Sequence, residues 1–252
     1  MLTKKQLTSY REDGFLILPG LFDPVEAAQW SIECKRMLTV GLADEFNLRT
    51  PLHYVTPDIW IVDRIEPVVD ISPVFEELSR SESILAPLRE ILGGEVRLFK
   101  DKLVYRMVGT PGYNTHQDYS WWEEFPDDLV NVMIAVDGAD ADNGALEFFP
   151  GYHNKLLTPP GAMRNLNLSE SNEIDIGSGT IIKTAPGDVV FFHCKLPHRS
   201  GPNVSSRLRR QLYFTYSAAR HGDFYERQLR LLRENRPNKC LNAENKDRYY
   251  FR

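Results

Sequence analysis

A mainly β fold, an antiparallel sandwich or barrel with helices attached on its N-terminal side, is the class this sequence predicts, and three observations carry it. From Val96 onward the chain breaks into short runs rich in Val, Ile, Phe and Tyr, at residues 96–107, 129–136, 145–149, 180–185, 188–193 and 210–217, with Gly, Pro, Asn and Asp between them. No helical repeat lies between these runs, as a parallel sheet would require. A length of 252 residues with 42% hydrophobic content is enough for one core, and β sandwiches of this length are commonly one domain. The expected organisation is one domain over 1–252: a mainly helical part at 1–95, the β core at 96–218 and a C-terminal extension at 219–252.

The first helix is expected from about Thr3, which can cap it, with Leu7, Tyr10 and Phe15 at roughly helical spacing. Phe15 to Leu18, between Gly14 and Pro19-Gly20, reads as a strand. A second helix should start at Asp23-Pro24, where an acid and a proline suit exposed amides, and run through Ala27, Trp30 and Cys34 to about Val40, with Gly41 as its stop. A third is expected over 74–92, closed by Gly93-Gly94. Residues 159–178 are polar and long for an ordinary connection, which suggests an insertion or a lid. Residues 226–236 suggest an amphipathic helix carrying Leu229, Leu231 and Leu232.

The net charge of -5 and a pI near 5.7 offer no basic stripe for a phosphate backbone or an anionic membrane, so neither nucleic acid nor membrane is an expected partner. Cys34, Cys194 and Cys240 are an odd set without a secretory leader, which argues against a disulfide framework and for a reducing, cytoplasmic setting.

The chemistry concentrates in two segments. His116-Gln117-Asp118 follows a strand and the turn Gly109-Thr110-Pro111-Gly112; in extended backbone, residues i and i+2 face the same way, so imidazole and carboxylate can grip one ion. An isolated H-x-D is commonly a solvated turn. A third ligand must come from a distant strand, and FFHCKLPHRSG offers His193 and His198. His193 ends an apolar run and reads as a packed histidine; the choice of His198 over it rests mostly on the spacing of the family that these motifs resemble. Two His and one carboxylate leave coordination positions open, the arrangement of non-haem iron oxygenases. Arg209, on the strand after His198, is a fork suited to bidentate binding of a carboxylate, and Ser200 could add a hydroxyl. Arg209 and Arg210 point to opposite faces, so only one looks inward. Arg207 reads as solvated.

Through these motifs the chain resembles the phytanoyl-CoA dioxygenase family of iron(II)- and 2-oxoglutarate-dependent oxygenases. The likeness runs from the opening LTKKQLTSYREDGFLILPGLFDPVEA through His116 and Asp118, Asn143-Gly144 and Pro150-Gly151-Tyr152-His153 to His198, Ser200, Asn203, Ser205 and Arg209. The resemblance implies a double-stranded β-helix (jelly-roll, cupin-like) core with flanking α-helices. It also implies His116, Asp118 and His198 as ligands of Fe(II), and Arg209 with Ser200 as the clamp for 2-oxoglutarate, the cosubstrate used with O2. A basic residue before the H-x-D often touches the cosubstrate in that family; Arg106 and Lys102 both qualify here. Asp118 favours hydroxylation, since related halogenases carry a small residue in its place.

The implied reaction is hydroxylation of a C–H bond of a small molecule. The run from Lys100 to Trp122 is most similar to members acting on small polar amines, 2-aminoethylphosphonate among them; the alternatives are an oxygenase tailoring a natural product or an acyl-CoA, and a cupin-like metalloenzyme that does not use 2-oxoglutarate. Tyr119, Trp121 and Trp122 are candidates for lining the substrate site, where their rings could receive a cationic group, or for plain core. Arg164 could meet an anionic group. Asn203 and Ser205 should brace the turn carrying His198, and His153 should buttress the site. His53 and His221 have no partner pattern.

Overall fold

The computed structural model describes residues 1–42, 52–56, 59–159 and 161–235. Helix α1 (Lys4–Asp13) starts at Thr3, whose side chain accepts from the Gln6 amide while the Gln6 side chain accepts from the Thr3 amide. This capping box satisfies two amides that the first turn leaves open. It ends at Gly14 (φ 83°), where a Cβ would lie 2.6 Å from His153 Nδ1, so only glycine lets the chain reverse there into β1 (Phe15–Leu18). Helix α2 (Pro24–Leu42) is capped by Asp23, whose carboxylate accepts from the Val25 and Glu26 amides. The expected stop at Gly41 is corrected, since the helix runs through that residue.

A hairpin of β2 (Leu52–Thr56) and β3 (Ile59–Val62) and a short β4 (Arg64–Ile65) follow. The single helix expected over 74–92 is two, α3 (Pro73–Ser79) and α4 (Glu82–Leu92). The break falls at Arg80-Ser81, where Ser81 is extended, and it lets Phe75 and Leu78 of one helix and Ile84, Leu88 and Leu92 of the other reach the same core.

The β core comprises β5 (Val96–Arg106), β6 (Tyr113–His116), β7 (Val130–Ala135), β8 (Leu146–Phe148), β9 (Thr180–Ile181), β10 (Val189–His193), β11 (His198–Ser200) and β12 (Arg209–Ala218). A one-turn helix α5 (Leu168–Ser171) lies in the long polar loop, and α6 (Tyr225–Asn235) closes the described chain. The run 180–185 pairs as a strand only over β9; beyond it Thr184 makes an isolated bridge to Ala139. The large sheet has the order β1-β10-β7-β12-β5-β4 and the small one β6-β11-β8-β9, both antiparallel. Facing antiparallel sheets with helices outside are the double-stranded β-helix expected from the sequence. β1 and β4 form the edges of the large sheet, so residues before 96 complete the β core as well as flank it.

Side-chain alternation divides the large sheet between two jobs. Leu212, Phe214 and Tyr216 of β12, with Leu103 and Tyr105 of β5, pack outward against Trp30, Cys34 and Met37 of α2 and the apolar faces of α3 and α4. Burial of each such side chain contributes about 1.5–3 kcal/mol. On the inner face Val104, Met133, Val190, Phe192 and Tyr213 pack toward Leu146 and Phe148 of the small sheet. Because both faces are covered, every residue of β12 is buried, and polar residues on its inner face stand where the jelly roll keeps its interior.

Cys34 and Cys194 are buried free thiols, and Cys240 lies outside the described residues. Among the described residues, no helix is long and apolar enough to cross a membrane.

Candidate metal and cosubstrate site

β6 and β11 pair with His116 opposite His198, which sets the two imidazoles side by side with ring centroids 4.2 Å apart. Gln117 is extended (φ -118°, ψ 125°), so Asp118 turns to the same side as His116. The buried Gln117 side chain points the other way: its amide donates to the Lys155 and Lys195 carbonyls, and its oxygen accepts from the Leu157 amide. That residue locks the H-x-D against two loops.

The Asp118 carboxylate lies 3.8 Å from His116 Nε2 and 3.9 Å from His198 Nε2, and one ligand atom from each of the three can be chosen with all within 4.8 Å of one another. His116 Nδ1 sits 2.8 Å from the Asn114 carbonyl and His198 Nδ1 2.9 Å from the Leu196 carbonyl. Each Nδ1–H therefore donates to backbone, and each Nε2 lone pair faces the shared space. Burial, reinforced by His198, pushes His116 down to about 4; burial likewise pulls His198 down. Both rings are neutral at physiological pH, as metal ligation requires. Burial pushes the Asp118 carboxyl up, but Lys102, His198, His116 and Lys100 outweigh it and hold the group below its ordinary value. Two neutral nitrogens and one ionised carboxylate form a donor set that fits a divalent transition metal.

Asn131 donates from its side chain to Asp118 Oδ2 at 2.9 Å, and Thr215 donates to Asn131 Oδ1 at 2.7 Å. Sequence reasoning misses this buried chain, although a signal for it exists: Asn131 is the one polar residue of β7, VNVMIA.

The inner row of β12 runs Arg209, Gln211, Tyr213, Thr215, opposite Arg106, Val104, Lys102 and Lys100 of β5. Arg209 is 1% exposed and Arg106 2%, and no carboxylate among the described residues pairs with either. Arg209 donates to Gln211, which also accepts from the Tyr213 hydroxyl at 2.8 Å. Burial pulls Arg209 down to about 10; Tyr213 offsets part of this and the charge of Arg106 adds to it. Arg106 donates to Ser200 Oγ at 3.1 Å and lies over the Tyr113 ring at 4.4 Å. Two adjacent buried cations without a counter-charge make a place for a carboxylate.

Lys102 lies over the Tyr213 ring at 4.9 Å and lines the same cavity as the triad, together with Arg209. Arg106 stands behind Arg209, toward Ser200. Arg210 turns outward, bound through its fork to Asp137 at 2.7 and 2.8 Å; Arg207 pairs with Asp140 at the surface. Asn203 donates to the carbonyls of Arg106 and Arg207 and accepts from Ser205, a brace for the turn between β11 and β12.

The cavity measures about 460 Å³. Trp121 and Trp122 line it, while Tyr119 turns away, donates to the Phe125 carbonyl and packs on the cluster around Phe99. Gly161, Met163 and Asn165 of the 159–178 loop form part of its rim, and Leu166 is tied to β6 through the Thr115 carbonyl. Arg164 is bound through its fork to Glu170. His193 is placed away from the triad, against His153, and accepts from the Lys195 amide. His221 meets Asp128 at the surface, and the His53 side chain lies outside the described residues.

The family model for phytanoyl-CoA dioxygenase (PhyH) matches residues 10–211. The methylphosphonate hydroxylase of Gimesia maris is 28% identical over 89% of this chain and 84% of its own. The 2-aminoethylphosphonate dioxygenase of an uncultured bacterium is 24% identical over 97% of this chain and 93% of its own. Among solved structures, EctD from S. alaskensis, determined with 2-oxoglutarate and 5-hydroxyectoine, superposes with a TM-score of 0.75 at 20% identity, covering 87% of this chain and 77% of that one.

Proposed function

We propose, from the premise that this chain belongs to the phytanoyl-CoA dioxygenase family and is an iron(II)- and 2-oxoglutarate-dependent dioxygenase, that it hydroxylates a small organophosphonate such as 2-aminoethylphosphonate. In this reading His116, Asp118 and His198 hold the iron, Arg209 takes the distal carboxylate of 2-oxoglutarate, and Arg106 orients Ser200 beside it. Bound iron, with 2-oxoglutarate and O2, supplies the oxidising power that splits the cosubstrate to succinate and CO2 and hydroxylates a C–H bond. The chain's own residues orient the ligands and exclude water.

The observation that carries the substrate class is the charge of the pocket. Arg64 and Lys100 are neutralised by Asp63 and Glu66, and Arg199 by Glu147. Lys102 has no carboxylate partner among the described residues. A divalent ion, Asp118, doubly charged 2-oxoglutarate and Glu123, which lines the cavity without a cationic partner among the described residues, together leave two negative charges, against which Arg106, Arg209 and Lys102 bring three positive ones. The excess suits an anionic group such as a phosphonate. The cavity, at about 460 Å³, lies near the small end of ligand sites and must hold the cosubstrate as well, which favours a small substrate. Relatives named for methylphosphonate and 2-aminoethylphosphonate support the same class.

The test is succinate release under air with iron(II), ascorbate and 2-oxoglutarate over a panel of phosphonates, small amines, acyl-CoAs and amino acids, with His116→Ala as control. Release that rises with phosphonates and vanishes in the control is expected. Release driven by another class alone would overturn the phosphonate assignment.

A further inference from the structure

The walls of the cavity come from the jelly roll and its loops except on one side, where Gln228, Leu231 and Leu232 of α6 reach it. This helix lies beyond the residues matched by the family model, 10–211, so it is a wall the shared pattern does not prescribe. It is firmly placed. The Tyr225 hydroxyl donates to Asp101 at 2.7 Å, Arg227 pairs with Glu124 at 2.9 Å, and Leu231 packs on the cluster of Phe99, Trp122 and Phe125.

Gln228 is 4% exposed, and its side-chain carbonyl oxygen accepts no hydrogen bond among the described residues. A buried acceptor left open is a standing cost, which a donor on a ligand would recover. The carboxylates lining the same cavity are engaged: Glu66 with Lys100 and Arg64, Glu123 with the Gly161 amide, Glu124 with Arg227, and Asp118 with Asn131. Lys102, which has no carboxylate partner among the described residues, makes the strand wall cationic, which repels an ammonium and attracts an anion.

We propose that Gln228 is a specificity-determining residue that accepts a hydrogen bond from the amino group of an aminoalkylphosphonate whose phosphonate lies toward Lys102. This rests on the phosphonate reading above. Leu231 and Leu232 face the carbon chain between the two ends and keep water from it.

The experiment is calorimetric titration of the iron(II)- and 2-oxoglutarate-loaded protein, without O2, with 2-aminoethylphosphonate and with ethylphosphonate, which lacks the amine. Wild type, Gln228→Leu and Gln228→Glu are compared, with 2-oxoglutarate affinity as the check on an intact site. The expected result is that wild type prefers the amine, that Gln228→Leu weakens 2-aminoethylphosphonate by about tenfold with ethylphosphonate unchanged, and that Gln228→Glu sharpens the preference. Should the leucine variant fail to fold, the near-isosteric glutamate variant decides alone, since an unchanged preference there overturns the proposal. Equal weakening of both ligands, or of neither, also overturns it and leaves the phosphonate class standing. If wild type binds neither phosphonate while still binding 2-oxoglutarate, the phosphonate class falls and the proposal with it, whereas the dioxygenase assignment stands.

Discussion

Arg106 and Arg209 face each other across β5 and β12, both buried, with the Nε of each lacking a hydrogen-bond partner among the described residues. Two like charges in a desolvated interior are a standing cost in the ligand-free protein, which a dianionic cosubstrate held as proposed above would remove. Stability and cosubstrate binding would then be linked through this pair.

In the manganese(II)-loaded protein, 2-oxoglutarate at about 100 times its Kd should add about 2.7 kcal/mol of stability. Arg209→Leu should bind it about 100-fold more weakly and lose that gain. Arg106→Leu should fall between the two while melting higher than wild type when no cosubstrate is present, because one of the paired charges is gone. Thermal unfolding with and without 2-oxoglutarate checks this; the same ligand-induced shift in all three proteins would refute it.

Asp118 is aimed by Asn131, and Asn131 by Thr215. Removing the partner of a ligating carboxylate typically costs about 10–100-fold in metal affinity. Asn131→Ala should weaken iron(II) or manganese(II) binding by about that much, and Thr215→Val by less. Metal titration reads both, and unchanged affinity in Asn131→Ala would show that Asp118 is held by the fold alone.

At Gly112 the backbone approaches β11 so closely that a Cβ would lie 2.1 Å from the Ser200 carbonyl oxygen. Gly112→Ala should push β6 from β11 and separate His116 from His198, at about 1–3 kcal/mol of stability. The expected signature is weakened metal binding together with a lowered Tm. A variant that binds metal like wild type would mean that the turn relaxes without moving the strand.

Burial pushes the Asp101 carboxyl up to about 6, with the Tyr225 hydroxyl and the Val68 and Val69 amides offsetting only part. An acid with a raised folded pKa takes up a proton on folding, so its stabilising contribution is whole below about pH 4, its unfolded value, and is lost as pH rises through about 6. Asp101→Asn removes this dependence. The difference in unfolding free energy should move in the variant's favour by up to about 3 kcal/mol between pH 4 and pH 7. Denaturation curves across that range test it, and a constant difference would rule out Asp101 as the titrating group.

Much of this site is legible in the order of residues alone. An H-x-D in extended backbone, a later histidine and an arginine on the next strand are local patterns, and the geometry brings His116, Asp118 and His198 together with Arg209 along one cavity. The placement of Arg209 inward and Arg210 outward follows from strand alternation. Helix boundaries are less legible: Gly41 does not stop α2, and Arg80-Ser81 breaks a stretch that reads as one helix, because packing against the large sheet outweighs local propensity.

Residue type at short spacing suffices for the capping of α1 by Thr3, the metal-ligand pattern, the family that pattern resembles and most of the longer strand runs, but it leaves β2, β3, β4 and β11 unmarked and overextends β9. Tertiary structure alone decided that Asn131 and Thr215 stand behind Asp118, that Arg106 lies against Arg209, that Tyr119 turns from the cavity while Trp121 and Trp122 line it, and that Gln228 of α6 closes its far side. These are contacts between residues distant in sequence. They arise from strand register and from a helix docking on β5, and no local spacing encodes either.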